Sequence, residues 1–293
     1  MNNQNFINFK RKRDLGKILS DTFQFLSTEW KPFFGTILKT SIIPVLIAIC
    51  AMVYYAMSSI SFFGEFSQTA DFKDFFDFNF SELLLPIVAF FLSYLVAYAL
   101  ITVSALAYIK SYIANKGFVN FEEVQNLTKD KFWSYVGLFV INGIIVGFGL
   151  LFCVLPGIYL GVVLSLSICL LIFQDKSVTD AVNDSFGFMK EHWWETFGII
   201  LIVQILIAVL GGVVSLPATL YQATDIALLM QNGGSDELLS VFLDPIYLLL
   251  IVISYLVKFI LYIVTIVVTV FIYYDIKEQK DPSTEVIDEI GIE

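Results

Sequence analysis

The chain has 293 residues, 58% apolar and 15% charged, against roughly 45–50% and 25% in soluble domains. A soluble domain of this size could not enclose that much apolar surface, so a soluble globular fold is excluded and lipid is the expected solvent. The net charge of −10, with no basic run larger than Lys10–Lys17, argues against a nucleic-acid partner.

In chain order, residues 1–31 read as a cytoplasmic basic tail and an interfacial helix. Met1 to Trp30 is polar and charged, with no apolar run or small-residue cleavage site, so it is no secretory signal and the first span directs insertion. A membrane domain of six spans follows over residues 32–274, at about 20 apolar residues per crossing. The spans are Pro32–Ser58, Leu83–Lys110, Phe132–Val154, Pro156–Phe173, Trp194–Leu216 and Pro245–Tyr274. Interfacial helices are expected at about 118–130 and 178–191, and an acidic cytoplasmic tail at 275–293. Spans three and four form one apolar stretch that would be roughly 60 Å long as a single helix. Pro156-Gly157 near its middle predicts a hairpin, because Pro removes a helical hydrogen bond and Gly tolerates a tight turn.

Lys and Arg set the orientation. Lys10, Arg11, Lys12, Arg13 and Lys17 precede span one, Lys110, Lys116, Lys129 and Lys131 separate spans two and three, and Lys176 and Lys190 separate four and five. Lys277 and Lys280 follow span six, whereas the intervening loops hold Lys73 among many acids. Both termini are therefore expected in the cytoplasm, the outer face being acidic. The outer stretch Ile60–Glu82 interleaves acids with Phe62, Phe63, Phe66, Phe72, Phe75, Phe76, Phe78 and Phe80. It reads either as rings dipping into the outer leaflet, or as a surface on which membrane-protein partners could dock or a lid over a cavity.

The segments before spans one and five match in register. Asp21–Gly35 and Asp184–Gly198 are identical at six of 15 positions, including Trp30 and Trp193. Both carry apolar or small residues at i, i+3, i+4, i+7: Leu15, Ile18, Leu19, Thr22 and Val178, Ala181, Val182, Ser185. A weaker copy precedes span three, where Phe132–Gly137 parallels Trp193–Gly198. The predicted fold is an all-α membrane protein built as three parallel repeats of an interfacial amphipathic helix plus a transmembrane hairpin.

Leu155–Leu160, Asp180–Phe186, Trp193–Gly198 and the closing Tyr273–Lys277 resemble a broad group of bacterial six-helix membrane proteins. That group includes the membrane domain attached to some glycerophosphodiester phosphodiesterases, together with stand-alone relatives. The resemblance covers about half the chain through loose motifs. It implies a bacterial cytoplasmic (inner) membrane and six spans, and no enzymatic activity, since the phosphodiesterase chemistry belongs to a separate soluble domain.

The candidate polar residues within the spans are Lys258, Asn142, Gln204 and Lys39. Lys258 lies about 24 Å above the cytoplasmic boundary at 1.5 Å per residue, where it can snorkel outward, and Lys39 can snorkel toward the cytoplasm. Asn142 and Gln204 occupy near-equivalent repeat positions and suit helix–helix hydrogen bonds or a shared polar cavity. Gly143-x-x-x-Gly147 and Gly157-x-x-x-Gly161 suit close helix packing, and Pro44, Pro86 and Pro217 kink or bound spans. One His (His192) and three remote Cys (Cys50, Cys153, Cys169) exclude a zinc or disulfide framework. No His-Glu-x-x-His, Gly-x-Ser-x-Gly or P-loop occurs, so no catalytic residue, cofactor or metal is expected. The function read from this is a non-enzymatic envelope scaffold or partner-binding protein. The alternative is a transporter or lipid-handling protein, marked by a wet cavity lined by Asn142, Gln204 or Lys258.

Overall fold

The computed structural model describes residues 6–68, 81–232 and 244–282. All regular structure among them is helical: α1 (Leu15–Gln68), α2 (Ser81–Ala114), α3 (Phe121–Phe152), α4 (Val154–Ser165), α5 (Ser167–Phe173), α6 (Val178–Met189), α7 (Trp193–Asn232) and α8 (Pro245–Lys280). Among the described residues, six stretches are long and apolar enough to cross a bilayer: Leu15–Ser59, Leu83–Ala114, Phe121–Phe152, Val154–Phe173, Trp193–Leu228 and Pro245–Lys280. The chain is an all-α, multi-pass membrane protein. Of the Phe-rich stretch, residues up to Gln68 continue α1, whereas residues 69–80 lie outside the described residues, as does 283–293 of the acidic tail.

The structure corrects several predicted boundaries. No break separates an interfacial helix from span one, because α1 runs on past Trp30. The reason is a buried stripe that holds its phase: Ile18, Thr22, Phe25, Phe33 and Ile37 are all fully buried at spacings of three, four and eight. Likewise α3 runs from Phe121 through residue 131 without interruption, with Val124, Thr128, Tyr135 and Leu138 on its buried side. Only the third such segment is discrete, α6 being parted from α7 by the turn at Lys190–His192. Pro217 lies inside α7, which continues to Asn232, so span five does not end there. Ser215 and Thr219 hydroxyls donate to the Gly211 and Leu216 carbonyls around it, the kind of local satisfaction that lets a helix accommodate proline. Residues 275–280 are not tail but the last turns of α8.

The hairpin between α3 and α4 turns earlier than predicted. Cys153, extended at φ −169° and ψ 149°, is the break, and Pro156 sits in the first turn of α4, where its missing N–H has no helical partner to lose. Gly157 serves a close approach instead of a turn. A Cβ there would meet Leu150 Cδ2 at 2.3 Å and the Leu150 backbone N at 2.9 Å. Asn142 Nδ2 donates to Ser167 Oγ at 2.8 Å lower down the same hairpin. Gly143, Gly147 and Gly161, by contrast, face open space, so the two Gly-x-x-x-Gly pairs are not equivalent packing surfaces.

Three helix starts share one pattern. Asp14, Asn120 and Ser177 precede α1, α3 and α6, and each side chain accepts a first-turn N–H, from Lys17, Glu122 and Asp180. Four residues on, Ile18, Val124 and Ala181 are fully buried, and their N–H groups donate to the cap carbonyls. Eight residues on, the buried Thr22, Thr128 and Ser185 each donate at 2.7 Å to a backbone carbonyl one turn back.

The chain divides into two compact units. The first takes residues up to Thr40, Ala99–Leu206 and the stretch from Tyr262 onward. It holds a closed aromatic core, with Phe9, Phe25, Phe33, Tyr108, Tyr112, Phe271 and Tyr273 buried. The second takes Ser41–Tyr98 and Ile207–Leu261. Its large apolar side chains, among them Leu84, Leu85, Phe91, Leu220 and Leu249, are mostly exposed. Internally it is held by contacts such as Tyr55 stacked on Phe90 at 5.5 Å and Ser254 Oγ donating to the Val214 carbonyl at 3.1 Å.

Candidate functional site

The densest polar assembly in the first unit is built on a non-helical strap, residues 6–14, ahead of α1. Phe9 lies flat on Phe271 with centroids 4.3 Å apart, and Phe25, Tyr112 and Tyr274 meet it edge-on. The Ile7 N–H donates to Tyr112 Oη at 3.1 Å. With no helix to satisfy the strap's carbonyls, the Arg11 N–H reaches the Phe9 carbonyl at 3.0 Å and one side chain serves three of them. Arg13 donates through Nη1 to the Phe9 and Arg11 carbonyls (2.7 and 3.0 Å) and through Nη2 to the Asn8 carbonyl.

Arg13 is fully buried, and so is its partner Asp21, which accepts from Nε at 2.9 Å. The guanidinium also lies 4.7 Å over the Phe271 ring. Burial pushes the Arg13 guanidinium below its ordinary range, opposed by the Asp21 carboxylate. The backbone N–H of Arg13 donates to Asp275 Oδ1 at 2.7 Å, and Gln279 Nε2 donates to the other oxygen at 2.9 Å. Asp21 gathers two more cations, Arg11 at 2.8 Å and Lys17 at 3.2 Å. The strap thus ties the first turns of α1 to the end of α8.

A second junction centres on Asp175, whose φ of 52° sits in the left-handed region between α5 and α6. It bridges Lys110 of α2 at 2.7 Å and Lys131 of α3 at 3.1 Å. The hydrogen bond from Lys110, reinforced by Lys131, holds its carboxyl below the usual carboxylate range. Lys110 also donates to the Ile172 carbonyl, closing α5.

The sequence-predicted residues are placed apart from these junctions. Asn142 donates to Ser167 rather than to Gln204, whose side chain is exposed on α7. Asn142 Oδ1 is buried with no hydrogen-bond partner. Lys39 is exposed with its ammonium 5.7 Å from the Phe121 ring centroid, and Lys258 is exposed 5.6 Å from that of Tyr255. His192 faces Glu195 at 3.8 Å. Among the described residues no group of three or more His, Cys, Asp or Glu could hold a metal ion. An open hollow of about 440 Å³ lies at the α2–α3 link, lined by Asn115, Phe118, Val119, Asn120 and Glu123. The Glu123 carboxylate is already occupied by Ser111 and Asn115.

No protein-family model, curated protein or solved structure matches the chain. The strap cluster was missed in the sequence because Arg13 counts there only as one more basic residue. The available signal was the Phe9 to Arg13 spacing beside Asp21, which is indistinguishable from a solvated charge run until Asp275, 262 residues away, is brought alongside.

Proposed function

We propose that this is a non-enzymatic scaffold or partner-binding protein of a bacterial cytoplasmic membrane, with both termini in the cytoplasm. The observation that carries the reading is that its conspicuous polar groups serve one another. Arg13, Asp21 and Asp275 tie strap to helices, Asp175 ties α2 and α3, and Asn142 ties the two arms of a hairpin. Groups so arranged join elements instead of lining a path. The transporter or lipid-handling alternative needs polar groups converging on a cavity, and Asn142 and Gln204 do not converge. Arrangement as three parallel repeats is supported by the shared cap, buried apolar residue and buried hydroxyl at three helix starts. The distance from cap to the interfacial aromatic is 16 residues to Trp30, 12 to Phe132 and 16 to Trp193. A middle unit about one helical turn shorter accounts for its weaker match. The proposed kinship with six-helix bacterial membrane proteins, read from loose sequence motifs, fits this plan.

Orientation has a direct test. In a cysteine-free background, an impermeant thiol reagent added to intact cells should label cysteines placed at Ala70 and Asn232, and not at Asn5, Gln125 or Glu285. Labelling at Gln125 would reverse the proposed topology.

The scaffold reading also predicts that Lys258→Met changes neither protein level nor cellular phenotype in a complemented deletion strain. An exposed, snorkelling lysine contributes little to the fold. Loss of phenotype at normal protein level would instead favour the transporter reading.

A further inference from the structure

We propose that Lys10, Arg11, Lys12 and Lys17 form a preshaped contact for the phosphate-bearing headgroups of anionic phospholipids. The inference rests on the bilayer placement proposed above and not on the scaffold role. Three cations, Arg11, Arg13 and Lys17, share the single Asp21 carboxylate. Arg13 is wholly buried, but the Arg11 and Lys17 side chains remain 46% and 48% exposed. Lys12 is exposed and Lys10 half-buried, and among the described residues neither ammonium meets a carboxylate within ion-pair distance. Of the acids nearby, Asp275 is occupied by the Arg13 backbone N–H and Gln279, and the exposed Asp14 caps α1. The segment therefore presents an outward surplus of positive charge.

Two further features make it a surface for lipid. The strap is locked from within by Phe9 and Arg13, so the backbone that carries its outward cations is already ordered and is not immobilised anew on meeting an anion. The same helix then presents Phe23 and Trp30, 57% and 55% exposed. Phe23 stands about 9 Å beyond Lys17 along the axis at 1.5 Å per residue. Cations on the strap and first turn of α1, followed by exposed aromatics further along α1, match the order of phosphate, interface and acyl chain. An acidic peptide or a free phosphate ion would leave those aromatic rings uncovered.

The test is made on the full-length protein reconstituted in vesicles. Tryptophan quenching by brominated phosphatidylglycerol and by brominated phosphatidylcholine yields their relative association constants. The wild type should prefer phosphatidylglycerol, and the preference should fall with added salt. Lys10→Gln/Lys12→Gln should reduce it about fivefold for each cation removed, at ~1 kcal/mol per basic residue near the surface. Among the described residues neither side chain takes part in an ion pair, so the fold is preserved. The matched pair Lys129→Gln/Lys190→Gln, exposed elsewhere, should leave the preference unchanged. Equal loss in both double variants, or no preference in the wild type, overturns the proposal. So does full competition by inorganic phosphate, which would identify a simple ion site, or by polyglutamate, which would identify an acidic protein partner. Quenching by neither brominated lipid would instead refute the bilayer placement itself.

Discussion

Replacing Arg13 with methionine is expected to destabilise the protein by about 3 kcal/mol, the lower end of the range for breaking one side of a buried ion pair. Methionine keeps much of the volume and the contact with Phe271 while removing every donor. The Asn8 and Arg11 carbonyls then lose the guanidinium, the Phe9 carbonyl keeps only the Arg11 N–H at 3.0 Å, and Asp21 loses its fully buried cation. Arg11 and Lys17 still reach Asp21, which is why the loss stays at the low end. Arg13→Lys should recover little, because one ammonium cannot reproduce a fork serving a carboxylate and three carbonyls at once. Arg13→Met/Asp21→Leu should recover part of the loss, since the buried charge is removed with its partner while the Asn8 and Arg11 carbonyls still lack the guanidinium. Thermal midpoints in detergent measure the cycle, and limited proteolysis near residue 10 reports release of the strap. An Arg13→Met protein that melts with the wild type and keeps its strap protected would show that the cluster is ornamental.

The contrast between what could and could not be read beforehand follows from range. Apolar run length is a local property, so six long helices were legible from composition and span length. Helix ends were less so. Trp30 suggests a headgroup-level bend in the sequence, but whether the helix breaks there depends on whether its buried stripe changes phase, and Ile18 through Ile37 shows that it does not. Pro217 misled for a related reason: proline ends helices in water, whereas nearby Ser215 and Thr219 hydroxyls bond neighbouring carbonyls here. The strap lay furthest from view. Arg13 and Asp275 are joined only by the tertiary fold, and no local pattern separates a guanidinium that will be buried from four neighbouring cations that stay partly or wholly accessible.

Gly157→Ala is expected to be among the most damaging single-methyl additions in the chain, and Gly161→Ala, one turn away, to be nearly silent. A Cβ at Gly157 would stand 2.3 and 2.5 Å from Leu150 side-chain carbons and 2.9 Å from the Leu150 backbone N. The leucine side chain can rotate aside, but the backbone nitrogen belongs to α3 and can retreat only if the hairpin arms separate. Separation also strains the neighbouring approach of Gly149, where an added Cβ would lie 3.0 Å from the Gly157 Cα. Overpacking of this kind costs about 1–3 kcal/mol, and the upper part of that range applies because the obstacle is main chain. The Gly161 site has nothing within 4 Å, so an added methyl meets only the helix's own preference for alanine. Gly143→Ala and Gly147→Ala should behave like Gly161→Ala, although sequence spacing alone ranks all four glycines together. The measurement is the thermal midpoint of each purified variant in one detergent, with cross-linking between cysteines placed at Asn142 and Ser167 to report whether the arms stay paired. Equal midpoints for Gly157→Ala and Gly161→Ala, with cross-linking intact in both, would mean that the arms at Cys153 are held further apart than this packing requires.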